Sequence, residues 1–363
     1  MHDVAVSVII PTYNRSAVVT RAVESALSCV RPDDEVLVVD DGSTDDTAAA
    51  LARFGDRIRY LPAPHGGAGR ARNRGVAAAS SPLVAFLDSD DEWVPDKLDL
   101  QRTVMTERPT VVFSFTDFAR RSAGRPDDHH QLARWHGDTR GWSEILGPAV
   151  PYSSFGVPPP ARGDFPVHIG DLYGEVLGGH FVPTFTLMVN REVAGDALWF
   201  AEDLITYEDL ECHARLARVG PAAYLDCETA YQWSHPGPRI TDANVYACAT
   251  CRLAVIERVY GEDPAFLAAH RPRFDRELRD LHLLAARWLM SRERPDEART
   301  HVEAVPDAPL AYRVAARMPG WSTAGAARGV RAARDLTDTA RGVLRGAGHR
   351  ASRREGGVVA GRG

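Results

Sequence analysis

The stretch Leu83–Glu92, LVAFLDSDDE, constrains this chain more than any other. Its apolar run, Leu83 to Leu87, is bounded by Ser-Pro on one side and acids on the other. Strands covered on both faces carry continuous apolar runs rather than alternating ones, so the run predicts a fully buried strand. Where that strand leaves the core it delivers Asp88, Ser89, Asp90 and Asp91 in a row. Clustered carboxylates repel one another and destabilise a fold unless a cation or hydrogen-bond donors compensate them. Their oxygens are the hard ligands that Mg²⁺ and Mn²⁺ prefer. Taken alone, the same residues would equally make a solvated acidic turn ahead of Val94-Pro95-Asp96.

The flanking chain favours the first reading. Val4–Ile10 is a Val/Ile-rich strand ended by Pro11-Thr12-Tyr13-Asn14. Val19, Ala22, Val23, Ala26 and Leu27 then lie on one helical face. A second strand, Glu35–Val39, empties into Asp40-Asp41-Gly42-Ser43-Thr44-Asp45, and Thr47, Ala50, Leu51 and Phe54 mark another amphipathic helix. Ile58–Leu61 reads as a third strand, Gly66–Ala79 as a Gly-rich entry into a helix, and Val111–Phe115 as a fifth strand. Strands alternating with helices imply a parallel α/β sheet, in which ligands bind at the carboxyl ends of the strands. Asp40/Asp41 and Asp88/Asp90 both stand at such ends.

Farther on the pattern weakens. Residues 120–164 contain the polar run Ser122–His130 and the proline-rich Val157–Ala161, and read as irregular loop. Phe185–Val189 predicts a strand, and Thr206-Tyr207-Glu208-Asp209 opens a helix that Gly220 stops. Thr206 followed by Asp209 has the form of a capping box, which gives Asp209 a structural reading. Pro221–Trp233 reads as two short strands, and the chain from Asn244 to about Val302 is mostly helical, with Leu281, Leu284, Ala285 and Trp288 on one face. Cys248 and Cys251 form a lone CxxC inside that helical run, without the further ligands zinc or redox chemistry needs.

At 363 residues the chain has ample material for a core. It enters a strand almost at once, without the charged and apolar regions of a signal peptide, and has no apolar run near the ~20 residues that span a bilayer. A cytoplasmic protein is expected. Eleven arginines face three acids between Arg313 and Gly363, while the whole chain is net −6, so the remainder is strongly acidic. An acidic body excludes nucleic acid as a partner. In the tail, Val330, Ala333, Leu336, Ala340 and Val343/Leu344 form a stripe beside the arginines. That pattern suits weak peripheral contact with anionic lipid at the inner face of a membrane, or packing on the acidic body.

Five segments carry a resemblance: VSVIIPTYNR (Val6–Arg15), VLVVDDGSTDDT (Val36–Thr47), HGGAGRARNRG (His65–Gly75), FLDSDD (Phe86–Asp91) and YED (Tyr207–Asp209). In that order and spacing they resemble a family 2 glycosyltransferase, an inverting, nucleotide-sugar-dependent enzyme of the GT-A fold. The resemblance runs from about Val4 to His235. It implies an α/β, Rossmann-like, mostly parallel sheet flanked by helices, with a C-terminal helical extension. The implied domains are a GT-A domain over 1–240 (donor half about 1–118, acceptor half about 119–240), a helical region over 241–322, and an Arg/Gly/Ala-rich tail over 323–363, partly disordered.

The resemblance also distributes roles. Pro11 and Tyr13 match the turn that lies against the nucleotide base, and Asp41 the acid that reads the base edge. A carboxylate suits a ring N–H such as that of uracil or thymine, which favours UDP or dTDP. The Gly-rich stretch lets backbone approach a pyrophosphate, with Arg70 or Arg72 adding charge-assisted bonds. A dinucleotide-binding GxGxxG fails there at its third glycine and follows the wrong strand. Asp90 matches the ligand of a Mn²⁺ or Mg²⁺ cofactor, with Asp88 on ribose or the metal, and Asp91 and His235 as further candidates. Asp209 matches the general base that takes the proton of an acceptor hydroxyl. Trp93 and Trp233 have faces suited to sugar but read as core or rim. The implied partners are a nucleotide-sugar donor and a glycan, lipid-linked or small-molecule acceptor. A nucleotidyltransferase lacks a basic GxG signature after the first strand here, and a silent nucleotide-sugar-binding module would have no need of Asp209.

Overall fold

The structure, a computed structural model, describes residues 4–159, 162–234 and 244–317. The strand β1 (Val6–Thr12) is buried along its whole length. It pairs in parallel with β2 (Glu35–Asp40), which pairs in parallel with β3 (Arg59–Pro62). Helices α1 (Val19–Leu27), α2 (Thr47–Ala52) and α3 (Ala68–Ala78) carry the chain between these strands. The LVAF run forms β4 (Leu83–Phe86), wholly buried and parallel to β1 on its other side. The chain then makes the two-residue β5 (Glu92–Trp93), α4 (Lys97–Glu107) and β6 (Phe113–Arg121).

Residues 120–164, expected to be irregular, are partly ordered. β6 itself runs to Arg121, and α5 (Gln131–His136), α6 (Trp142–Ile145) and β7 (Ala149–Pro151) follow. The reason is burial: Leu132, Ile145 and Tyr152 enter the core from short elements, too short to show a period. Next come β8 (Pro166–Gly170), α7 (Tyr173–Gly178), β9 (Met188–Asn190), α8 (Arg191–Ala194), α9 (Glu208–Val219) and β10 (Ala222–Trp233). Only the end of the expected Phe185–Val189 strand is extended, because Thr184–Thr186 forms a 3-10 turn. Where two short strands were expected, β10 is a single strand whose register against β6 shifts on both sides of Glu228. The polar Asp226-Cys227-Glu228 reads as a break and is a bulge.

All ten described strands form one sheet in the order β3-β2-β1-β4-β9-β6-β10-β8-β7, with β5 on β10. It is parallel from β3 to β4 and between β6 and β10, while β9 runs antiparallel to both neighbours, β4 and β6.

A helical extension follows: α10 (Val245–Val259), α11 (Pro264–Met290, kinked at His270 ahead of Pro272), α12 (Pro295–Glu303) and α13 (Leu310–Ala315). It docks on the sheet domain through α7 and α9. Arg252 donates to the Leu177 carbonyl (3.1 Å), Tyr260 to the Tyr173 carbonyl (2.9 Å), and Arg258 pairs with Asp203 and Glu211. Leu281 and Ala285 are fully buried, as the helical face requires, and Cys248 and Cys251 are core residues of α10. No helix among the described residues is long and apolar enough to cross a membrane. The Arg-rich stripe Val330–Leu344 lies outside the described residues.

Candidate active site

The carboxyl ends of β1, β2 and β4 meet at one edge of the sheet, where strand order reverses and α/β proteins form their binding crevice. Asn14, in the left-handed region at φ 51, locks the loop after β1 to the loop after β2. Its amide donates to Ser43 (2.9 Å), and its side-chain oxygen accepts from the Thr44 amide (2.8 Å). Pro11 is buried in β1 opposite Val39, while Tyr13 stands 40% exposed and stacks on His65 with centroids 4.2 Å apart. Asp41 is buried. Its two oxygens accept from the amides of Gly66 (2.9 Å) and Gly67 (2.8 Å), so it shapes the start of the Gly-rich loop, and His65 Nδ1 lies 2.8 Å from it. Asp40 faces away, held by the Ser43 amide and the Tyr60 hydroxyl.

Helix α3 was expected to offer Arg70 or Arg72 to a diphosphate, and the structure separates the two. Arg70 lies at the surface, its Nε 3.8 Å from Glu202. Arg72 is buried and donates to Asp88 Oδ1 (2.9 Å) and Glu208 Oε1 (2.8 Å), so its terminal nitrogens are committed to carboxylates. Beside it, Asn73 accepts from the Phe200 amide and donates to the Phe200 carbonyl. The approach is close: a Cβ on Gly69 would come 2.6 Å from the Ala201 carbonyl oxygen, which only glycine avoids.

In the acidic loop, Asp90 lies partly open to solvent, with Arg15 Nε 3.9 Å from its carboxylate and Arg21 bonded to its carbonyl (3.0 Å). Asp91 is buried and accepts from the Trp233 amide (3.0 Å), which places it in the scaffold of the loop rather than on its open side. Trp93 is a core residue, its Nε1 donating to the Phe185 carbonyl (2.7 Å), and Trp233 is covered by Arg21 at 4.2 Å. His235 lies outside the described residues.

Asp209 does not complete a capping box. Tyr207 is the N-cap of α9, in the left-handed region at φ 63, and no side chain caps the helix. The carboxylate of Asp209 instead accepts from Thr184 Oγ1 (2.9 Å, on Oδ2) and the Leu210 amide (2.8 Å, on Oδ1). His180 Nε2 stands 3.4 Å from Oδ2. Burial pushes the Asp209 carboxyl up, but His180 and then His213 and Arg72 pull it below the usual carboxylate range, which favours its ionised form. Its neighbour Glu208 is raised instead, by burial and then by Asp209 itself.

The donor set suits a divalent cation. Asp88 is raised above the usual range by burial, relieved by Arg72 and raised further by Asp90. Hard carboxylate oxygens with such like-charge crowding are what Mg²⁺ and Mn²⁺ take.

Residues 7–155 match the family model described as glycosyl transferase family 2. A glycosyltransferase named for teichuronic acid biosynthesis, TuaG of Bacillus subtilis, is 42% identical over 226 residues, spanning 60% of this chain and 74% of TuaG. The chain belongs to glycosyl transferase family 2. It has the GT-A fold with added C-terminal helices. An uncharacterised glycosyltransferase of Rickettsia felis is 41% identical over 120 residues, 32% of this chain, which spans only 20% of that protein's length. Among solved structures, S. aureus TarS (residues 1–349, with UDP-GlcNAc) superposes with a TM-score of 0.53 at 18% identity, covering 85% of this chain and 91% of TarS.

Several residues around this family 2 site carry no signal in the sequence. Thr184 and His180 sit in a segment without motif or period, and reach Asp209 only through the fold. Glu208 lies within the YED segment, but its pairing with Arg72 bridges 136 positions of chain.

Proposed function

We propose that this family 2 glycosyltransferase moves a sugar from UDP- or dTDP-sugar to a hydroxyl of a glycan or lipid-linked acceptor, with inversion at the anomeric carbon. The observation that carries this reading is the buried Arg72. It joins Asp88 of the acidic loop to Glu208, the residue before Asp209, and so brings the two acidic segments together.

Asp209, held by Thr184 and the Leu210 amide, takes the proton of the acceptor hydroxyl as that oxygen attacks. Attack from the face opposite the departing diphosphate inverts the centre. Tyr13 offers its exposed ring to the base, and Asp41 keeps further lone pairs for a ring N–H beyond those given to Gly66 and Gly67. Arg70, at the mouth of the loop, remains for the diphosphate. Mg²⁺ or Mn²⁺ held by Asp90 with Asp88 would neutralise charge building on the leaving diphosphate.

Calorimetry of UDP, dTDP and GDP, each with and without EDTA, followed by turnover of the matching sugars with Mn²⁺ or Mg²⁺, tests this. Uridine or thymidine diphosphate should bind tightest and only with metal. Preferred binding of GDP overturns the base assignment, and equal binding under EDTA overturns the metal.

A further inference from the structure

Midway along β6, Asp117 lies opposite Glu228 of β10. Like charges directly opposite on neighbouring strands destabilise a sheet. Here the register shifts on both sides of Glu228, and the two carboxylates converge: an oxygen from each lies within 4.8 Å of the other and of a ring nitrogen of His130. Asp117 Oδ1 is filled by the amides of Phe118 (2.7 Å) and Leu132 (2.8 Å), which leaves Oδ2 facing His130 Nδ1 at 3.4 Å. His130 Nδ1 is also 3.8 Å from Glu228 Oε1, and His129 Nδ1 is 2.7 Å from Glu228 Oε2. The backbone of His130 is left-handed (φ 52, ψ 54), and its amide donates to Glu228 (2.6 Å). A non-glycine residue in that conformation is uncommon, and here it delivers an imidazole to two carboxylates.

We propose that Asp117, His130 and Glu228 form a binding site for a Zn²⁺-class transition ion, built from none of the acidic residues of the loop after β4. Imidazole mixed with carboxylate is a donor set for zinc and its neighbours, whereas Mg²⁺ takes oxygen alone. Around a tetrahedral Zn²⁺ with bonds of about 2.0–2.2 Å, donor atoms stand about 3.4 Å apart. The His130–Asp117 and His130–Glu228 separations of 3.4 and 3.8 Å are close to that. His130 remains largely exposed, so the ion enters directly from solvent.

The ion would pin the entrance of α5 to both strands. Helix α5 carries Trp135, packed edge-on against Phe118 (5.7 Å) and 5.9 Å from His180, the ring beside Asp209. Zinc would thereby steady one wall of the site, a consequence that rests on Asp209 as the base, although the metal site does not.

The test is a Co²⁺ titration of metal-stripped, tag-free full-length protein, followed in the visible, with Zn²⁺ as competitor. Wild type should take up one equivalent with d–d absorption that Zn²⁺ displaces, and Asp90→Asn should do the same. His130→Ala should lose at least tenfold in affinity, and Asp117→Asn, which keeps Oδ1 as an acceptor, should follow it. Zn²⁺ should also slow tryptic cleavage between residues 121 and 135 in wild type and not in His130→Ala. Absence of stoichiometric binding, binding unchanged in His130→Ala, or binding lost in Asp90→Asn while kept in His130→Ala each overturns the proposal.

Discussion

Arg72 donates to Asp88 and Glu208 through its two terminal nitrogens, at 2.9 and 2.8 Å, while its Nε is buried without a partner. The pairing compensates two carboxylates, and removing the guanidinium would leave the buried Glu208 without its cation and the half-buried Asp88 beside it. Truncating one member of a buried ion pair typically costs about 3–5 kcal/mol. Arg72→Ala should therefore lower unfolding free energy in urea by about that amount, and Arg72→Lys, which cannot fork to both partners, should recover only part of it.

Removing charge from Asp209 separates binding from chemistry. Asp209→Asn keeps the shape of the side chain and the bond from Thr184, but cannot accept a proton. Turnover should fall about 10²–10⁴-fold or more, as for loss of a general base, while calorimetric affinity for the nucleoside diphosphate stays near wild type.

With Asp209 as the proposed base, Thr184 would act through it. Its hydroxyl fixes Oδ2 at 2.9 Å, and a hydrogen bond to a charged group is worth about 1.5–3 kcal/mol. Thr184→Val should reduce kcat about tenfold or more with little change in KM for the donor, and Thr184→Ser should restore it. A parallel loss of donor binding would refute the role.

His136 sets an acid limit on stability. Burial pushes its imidazole down to about 4, and its Nδ1 accepts from the Asp138 amide (3.1 Å), so the folded state holds it neutral. Unfolded chains bind its proton below about pH 6.5, so stability falls as pH drops from there toward 4, by at most about 3 kcal/mol. Denaturant midpoints measured from pH 7 to 4.5 should decline, and His136→Gln should flatten the slope below pH 6.5.

The donor side of this fold was legible because its central strands are apolar runs ending in turn or acidic residues, as in Val6–Thr12 and Leu83–Phe86. The motifs single out Asp41, Asp88 and Asp209 as candidates, but not their bonds. That each oxygen of Asp41 accepts from a glycine amide, Gly66 or Gly67, and that Arg72 forks to two acids, follows from packing between segments distant in sequence. Residues 120–164 stayed illegible for another reason. Their helices run four to six residues, too short for a hydrophobic period to declare itself.

The three residues of β9 fill the gap between β4 and β6. During synthesis β4 emerges roughly a hundred residues before its outer neighbour, which at 5–20 residues per second is about 5–20 s. Throughout that interval one edge of a buried, Val- and Phe-bearing strand is unpaired, the template on which other chains pair. The nascent protein is thus most prone to aggregation before Met188–Asn190 leaves the ribosome, and fragments ending short of it should be insoluble however complete their nucleotide-side motifs.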